Sequence, residues 1–99
     1  MDSVRISVQA EADIDSIIEY SKAEWGSRQS EKYLSRIEDE LELLARNPLI
    51  GRSCNSILPG LRRLEVGKHV VFYLSRRDGI LIVRVLHQRM LPGKSRFEP

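Results

Sequence analysis

The chain has 99 residues, of which 41% are hydrophobic and 30% charged, with a mean hydropathy of −0.31 and a formal net charge of +2. That length suits one domain, residues 1–99, with a single modest core. No apolar run approaches the roughly 18 residues that a membrane-spanning helix needs.

The opening MDSVRISVQA lacks a basic segment followed by a long apolar one, so no secretory signal is expected. Within it, Val4, Ile6 and Val8 alternate with Arg5 and Ser7, which predicts a short strand. Residues 10–24 then read as a helix, with Ile14, Ile17, Ile18 and Trp25 at helical spacing. Gly26 ends it, Trp25 packs the corner, and Ser27 or Ser30 is placed to cap a second helix. That second helix carries a stripe of Leu34, Ile37, Leu41 and Leu44, with Tyr33 and Ala45 beside it. The acidic run Glu38–Glu42 points in several directions, so it reads as a solvated face rather than a cation site. Asn47-Pro48 stops the helix.

Residues 48–60 are irregular, punctuated by Pro48, Gly51, Pro59 and Gly60. Cys54 lies in this stretch. As the lone cysteine it allows no internal disulfide, which fits a reducing cytoplasm and a small buried thiol. Three strands follow near 61–66, 69–75 and 80–86, joined by turns at Gly67-Lys68 and Asp78-Gly79. The expected fold is α+β, in the order β-α-α-β-β-β: an N-terminal strand, then a helical hairpin packed on one face of a small antiparallel sheet.

The last strands are apolar on both faces. Val70, Phe72 and Leu74 point one way and Val71 and Tyr73 the other; Ile80, Ile82 and Leu86 oppose Leu81, Val83 and Val85. Two helices cover one face, so the other should present an apolar patch for a partner, unless the tail after His87 folds over it. Charge is divided too. Residues 1–47 carry a balance of −5 and residues 48–99 a balance of +7, giving the second half a basic surface suited to an acidic partner.

Six scattered glycines form no nucleotide-binding motif, and two histidines and one cysteine, widely spaced, do not make a zinc site, so no cofactor is expected. Arg62, Arg63, Arg84, His87 and Arg89 lie on or beside adjoining strands. RNA cleavage by 2′-hydroxyl attack needs a base of near-neutral pKa and cations for the phosphorane, and Arg63, Arg84 and His87 could supply them. The structural alternative pairs a buried Arg84 with Glu65 or a helix carboxylate and leaves His87 as a satisfied structural residue.

The segments ADIDSIIEYSKAEWG (12–26), QSEKYL (29–34), LLARNPLIGRSC (43–54), PGLRR (59–63), KHVVFY (68–73) and ILIVRVLHQRM (80–90) occur in an order and spacing that resembles ParE-type toxins of the RelE/ParE superfamily. The resemblance implies a helical hairpin on a small antiparallel sheet. It also implies the toxin half of a type II toxin–antitoxin pair, one that inhibits DNA gyrase, blocks replication and is neutralised by a ParD-like antitoxin in a higher-order assembly. Direct sequence-specific nucleic-acid binding is not implied. RelE-like relatives instead cleave ribosome-bound mRNA, often with a late tyrosine, for which this chain has no counterpart after Tyr73. Leu91 stands where ParE-like proteins commonly have an aspartate, so the LPGKSRFEP tail departs from the family pattern. Charge and exposure select Arg62, Arg63, Val71, Tyr73, Val83, Val85, His87, Arg89 and Met90 as the surface for antitoxin or target.

Overall fold

The computed structural model describes residues 3–90. Its elements are β1 (Ser3–Ile6), α1 (Val8–Arg46), β2 (Arg52–Ser53), β3 (Leu61–Val66), β4 (His69–Arg76) and β5 (Gly79–His87). Of the tail after His87, which was expected as a possible cover for the far face, the part from Leu91 onward lies outside the described residues.

The helical segment α1 is broken at Gly26, whose φ of 83° and ψ of 165° are essentially open to glycine alone. The break folds the helix into two arms. Ser21 and Ser30 are nine residues apart, a separation of roughly 13 Å in a straight helix. Instead their hydroxyls meet at 2.6 Å, and both side chains are buried. Ser30, one of the two candidate caps, is therefore an interior clamp between the arms. The cap of the first arm is Ser7, whose Oγ accepts the Ala10 N–H at 3.0 Å. Val8, expected in the strand, thus opens the helix and is exposed. The second arm buries Ile37, Leu41, Leu44 and Ala45 against the sheet, as its spacing predicts.

The sheet order is β1-β5-β4-β3-β2. Neighbours from β2 to β5 are antiparallel, but β1 runs parallel to β5, pairing Ser3 with Gly79 through Ile6 with Ile82. The sheet is mixed, not antiparallel throughout. The helical segment between β1 and the rest of the chain is the long crossover that a parallel neighbour requires.

Strand β5 departs from strict alternation. Phe72 pairs with Arg84 and Tyr73 with Ile82, leaving Val83 as an extra residue. Beyond this bulge the faces exchange parity. Val85 joins Ile80, Ile82, Val71 and Tyr73 in the core beneath the helix, while Leu86 joins Val70 and Phe72 on the far side. The first arm fixes the bulge. Ser7 N–H donates to Ile82 O and Ser7 Oγ to Val83 O, at 3.0 and 2.8 Å. Asp13 accepts from Arg84 Nε, from Arg84 Nη2 and from the Val85 N–H, at 2.8, 2.8 and 2.9 Å. The partner of Arg84 is thus a helix carboxylate, one of the two expected possibilities, and Glu65 instead bonds Arg52 at 2.8 Å.

The far face of the sheet is not open as expected. The segment 54–60 folds over it, seating Cys54, Ile57 and Leu58 on Leu61, Val70, Phe72 and Leu86. This roof satisfies its own backbone: Ile57 and Leu58 N–H donate to Cys54 O, Leu61 N–H to Leu58 O, and Gly60 N–H to Asn55 Oδ1. A loop with internally paired amides can cover an apolar face without stranding polar groups.

Tyr73 anchors the chain that leads to the roof. Fully buried, its hydroxyl donates to Pro48 O and accepts the Gly51 N–H, both at 2.8 Å. Gly51 sits so close that a Cβ there would collide with the Tyr73 hydroxyl and ring. Burial raises the Tyr73 pKa, against the opposing pull of the Gly51 amide and the Arg62 charge.

Three stability changes follow. Tyr73→Phe strands the buried Gly51 N–H and frees the partly buried Pro48 carbonyl, and should cost about 1–3 kcal/mol, read as a lower urea midpoint at unchanged m. Leu41→Ala or Phe72→Ala should cost about 2–5 kcal/mol. Asp13→Ala removes the carboxylate that pairs with a largely buried guanidinium and should cost about 3 kcal/mol, whereas Asp13→Asn, which keeps an acceptor for the Val85 amide, should cost less.

Candidate interaction surface

The sequence-selected residues do not form one surface. Val71, Tyr73 and Val85 are 0%, 0% and 2% exposed, beneath the helix. They were expected on the open face; the bulge and the helical arms put them inside, where a partner cannot reach them without opening the core. Val83 is partly buried on the roofed side. Arg62 shares the helix-side face with Tyr73 and donates to Gly51 O at 2.6 Å, so it braces the Tyr73 anchor. Arg63 pairs across β3–β4 with Phe72 on the opposite face and approaches Glu65 at 3.9 Å.

His87, Arg89 and Met90 do stay together. Met90 N–H donates to His87 O and Arg89 N–H to His87 Nδ1, at 2.9 and 3.1 Å, closing a turn at the end of β5. Arg89 and Met90 are exposed at its tip and His87 is half-buried at its base. The Arg89 amide makes Nδ1 an acceptor, placing the proton of the neutral ring on Nε2.

The structure adds a neighbourhood that sequence reasoning missed. His87 pairs with His69, their rings edge-to-face at 5.4 Å. Tyr33 Oη lies 2.6 Å from His69 Nδ1 and accepts the Lys68 N–H at 3.1 Å. Trp25 meets the Tyr33 ring edge-on at 5.7 Å, and Lys68 Nζ stands 5.8 Å from the Trp25 centroid. Tyr20, Glu24, Trp25, Tyr33, His69 and His87 line a cleft of about 200 Å³ between the helix break and the end of β5. Tyr20 and Trp25 are large exposed hydrophobics at its rim. This mixture of exposed aromatic rings and a few polar groups suits a docking peptide. The sequence signal was faint: Trp25 read as a corner residue and Tyr33 as the flank of a stripe, and nothing local linked them to His69.

The arrangement does not assemble the nuclease constellation. Arg63 and His87 lie on opposite faces of the sheet. Arg84 is committed to Asp13, and that bond, ahead of the opposing effect of burial, raises its pKa. His69 is held at about 4, chiefly by burial and secondarily by the neighbouring His87. The unfolded chain binds a proton at this position near 6.5 while the folded one resists it down to about 4. The stabilisation is therefore complete above about pH 6.5, fades as pH falls through that window and loses nothing further below about 4. Urea midpoints measured from pH 7 to pH 4 should fall in the wild type and fall less in His69→Gln.

Comparison with known proteins agrees with this architecture. The family described as "ParE toxin of type II toxin-antitoxin system, parDE" matches residues 4–92. Toxin ParE1 of Mycobacterium tuberculosis is 41% identical over 86 residues, covering 86% of this chain and 88% of that protein. Toxin ParE1 of Caulobacter vibrioides is 39% identical over 92 residues, 91% and 93% of the two chains. Toxin ParE of Escherichia coli is 34% identical over 86 residues, 86% and 84% of the two chains. A chain of the solved structure "Chromosomal ParDE TA system from P. aeruginosa" superposes with a TM-score of 0.73 at 24% identity, covering 88% of this chain and 96% of that one, which bears on the fold. With a helical hairpin on a five-stranded sheet and a match running from β1 past β5, this chain belongs to the ParE toxin family of type II toxin–antitoxin systems.

Proposed function

We propose that this ParE-family toxin arrests growth by inhibiting DNA gyrase in the cytoplasm, by binding rather than by catalysis, and that a ParD-like antitoxin neutralises it in a higher-order complex. The observation that supports the non-catalytic reading is the dispersal of the three expected nuclease residues: Arg63 stands on the face opposite His87, and Arg84 is held by Asp13. Family membership supports an antitoxin partner. The surface offered to that partner is the aromatic cleft together with the His87–Met90 turn, where exposed Arg89 supplies a cation for an acidic segment and Trp25 and Tyr20 supply apolar anchors.

Purified toxin added to gyrase and plasmid DNA should suppress supercoiling and accumulate gyrase-linked breaks, while mRNA in a translation reaction stays intact. Ribosome-dependent cuts in mRNA that vanish in His87→Ala would overturn this reading in favour of a RelE-type endoribonuclease. Arg89→Glu should leave the melting curve nearly unchanged yet weaken antitoxin or gyrase binding by roughly tenfold, about 1.4 kcal/mol. Unaltered affinity for both would remove the turn from the surface.

A further inference from the structure

The roof of residues 54–60 stops short of one corner of the far face, and that corner is basic. In the β1–β5 register Arg5 lies beside Leu81, and in the β4–β5 register Leu81 lies beside Leu74 and Gly79 beside Arg76. Partners across a ladder share a face, so Arg5 and Arg76 stand on the side that carries Leu74, away from the helix. Arg77 follows in the hairpin turn. These arginines line an open cleft with Ser3, Asp78, Ile80 and Leu81. All three are exposed, and among the described residues none of them has a carboxylate within ion-pair distance. The scaffold beneath is rigid. Ser3 N–H donates to Asp78 O at 2.8 Å, and Gly79 lies so close to the Ser3 backbone that a Cβ there would strike it.

We propose that Arg5, Arg76 and Arg77 form a sequence-independent contact for the phosphodiester backbone of a nucleic acid. Arg5 on β1 and Arg76 on β4, with β5 between them, project from backbones roughly 10 Å apart, and Arg77 adds a third guanidinium at the turn. Each can engage a phosphate bidentately. The corner lacks the aromatic anchors that a folding peptide uses elsewhere on this molecule; its apolar floor is Leu81, already half-covered. A cation cluster without anchor pockets matches a uniformly charged polyanion better than an acidic polypeptide. Asp78 sits at the rim as the opposing charge, so the corner neutralises two to three phosphates.

The test is fluorescence anisotropy with a fluorescein-labelled duplex of roughly 20 base pairs and arbitrary sequence, using the full chain. Affinity should be weak and should fall roughly tenfold to fortyfold between 50 and 200 mM salt, the signature of two to three released counterions. The triple change R5Q/R76Q/R77Q should abolish that salt-dependent binding, R5K/R76K/R77K should retain most of it, and K32Q/R36Q on the helix should leave it alone. D78N should tighten binding a few-fold, which keeps the proposal testable if the triple variant folds poorly by circular dichroism. Absence of duplex binding at 50 mM salt would overturn it. So would binding indifferent to the triple change or to D78N, or capture of a polyglutamate peptide in place of the duplex.

Discussion

Asp13 holds the place where helix and sheet meet. Strand β1 pairs with β5 only as far as Ile82, and beyond it the edge of β5 would be left with an unpaired amide at Val85 and a guanidinium at Arg84. One carboxylate from the first helical arm answers both. It does so at a bulge, so the same contact fixes which side chains of β5 face the helix. Were the bulge to close, Val85 and Leu86 would exchange faces and two core clusters would lose members together. The ion pair is therefore less a store of energy than a device for register, the role in which buried charge is best attested.

The two faces of the sheet are closed by different means. The helical arms cover one, clamped to each other by the Ser21–Ser30 contact across the Gly26 break. A self-bonded loop covers the other, and Tyr73 ties its base down through Pro48 and Gly51. With both faces roofed, the described residues leave no broad apolar flank of the sheet open. What it presents lies at its margins: the aromatic cleft running into the His87–Met90 turn, and the arginine corner at the opposite end of β5.

On the surfaces we propose, that division separates two kinds of recognition along a single strand. The end of β5 carrying His87 lies beside exposed rings and a lysine, suited to a chain that brings both apolar and acidic side chains. The beginning of β5 lies beside bare guanidiniums, suited to charge alone. The neutral His69 between Tyr33 and His87 keeps the cleft free of a buried cation near neutral pH.

Local pattern in the sequence was enough for the helical break at Gly26, the stripe of the second arm, the hairpin joining β4 and β5 and the burial of Cys54, because each depends on residues close together along the chain; it missed the two-residue strand β2, and the hairpin turns at Arg77-Asp78, one residue before the expected Asp78-Gly79. The motif order carried the family as well. The parallel pairing of β1, the bulge at Val83, the choice of Asp13 for Arg84, and the roof over the far face were decided only in three dimensions. Each joins segments far apart in sequence, and a single extra residue in a strand reverses every inference drawn from alternation. That is why Val85 read as surface and is core; Val71 and Tyr73 are core because the helical arms cover their face of the sheet, and Arg5 meets the sequence neighbours Arg76 and Arg77 at one corner.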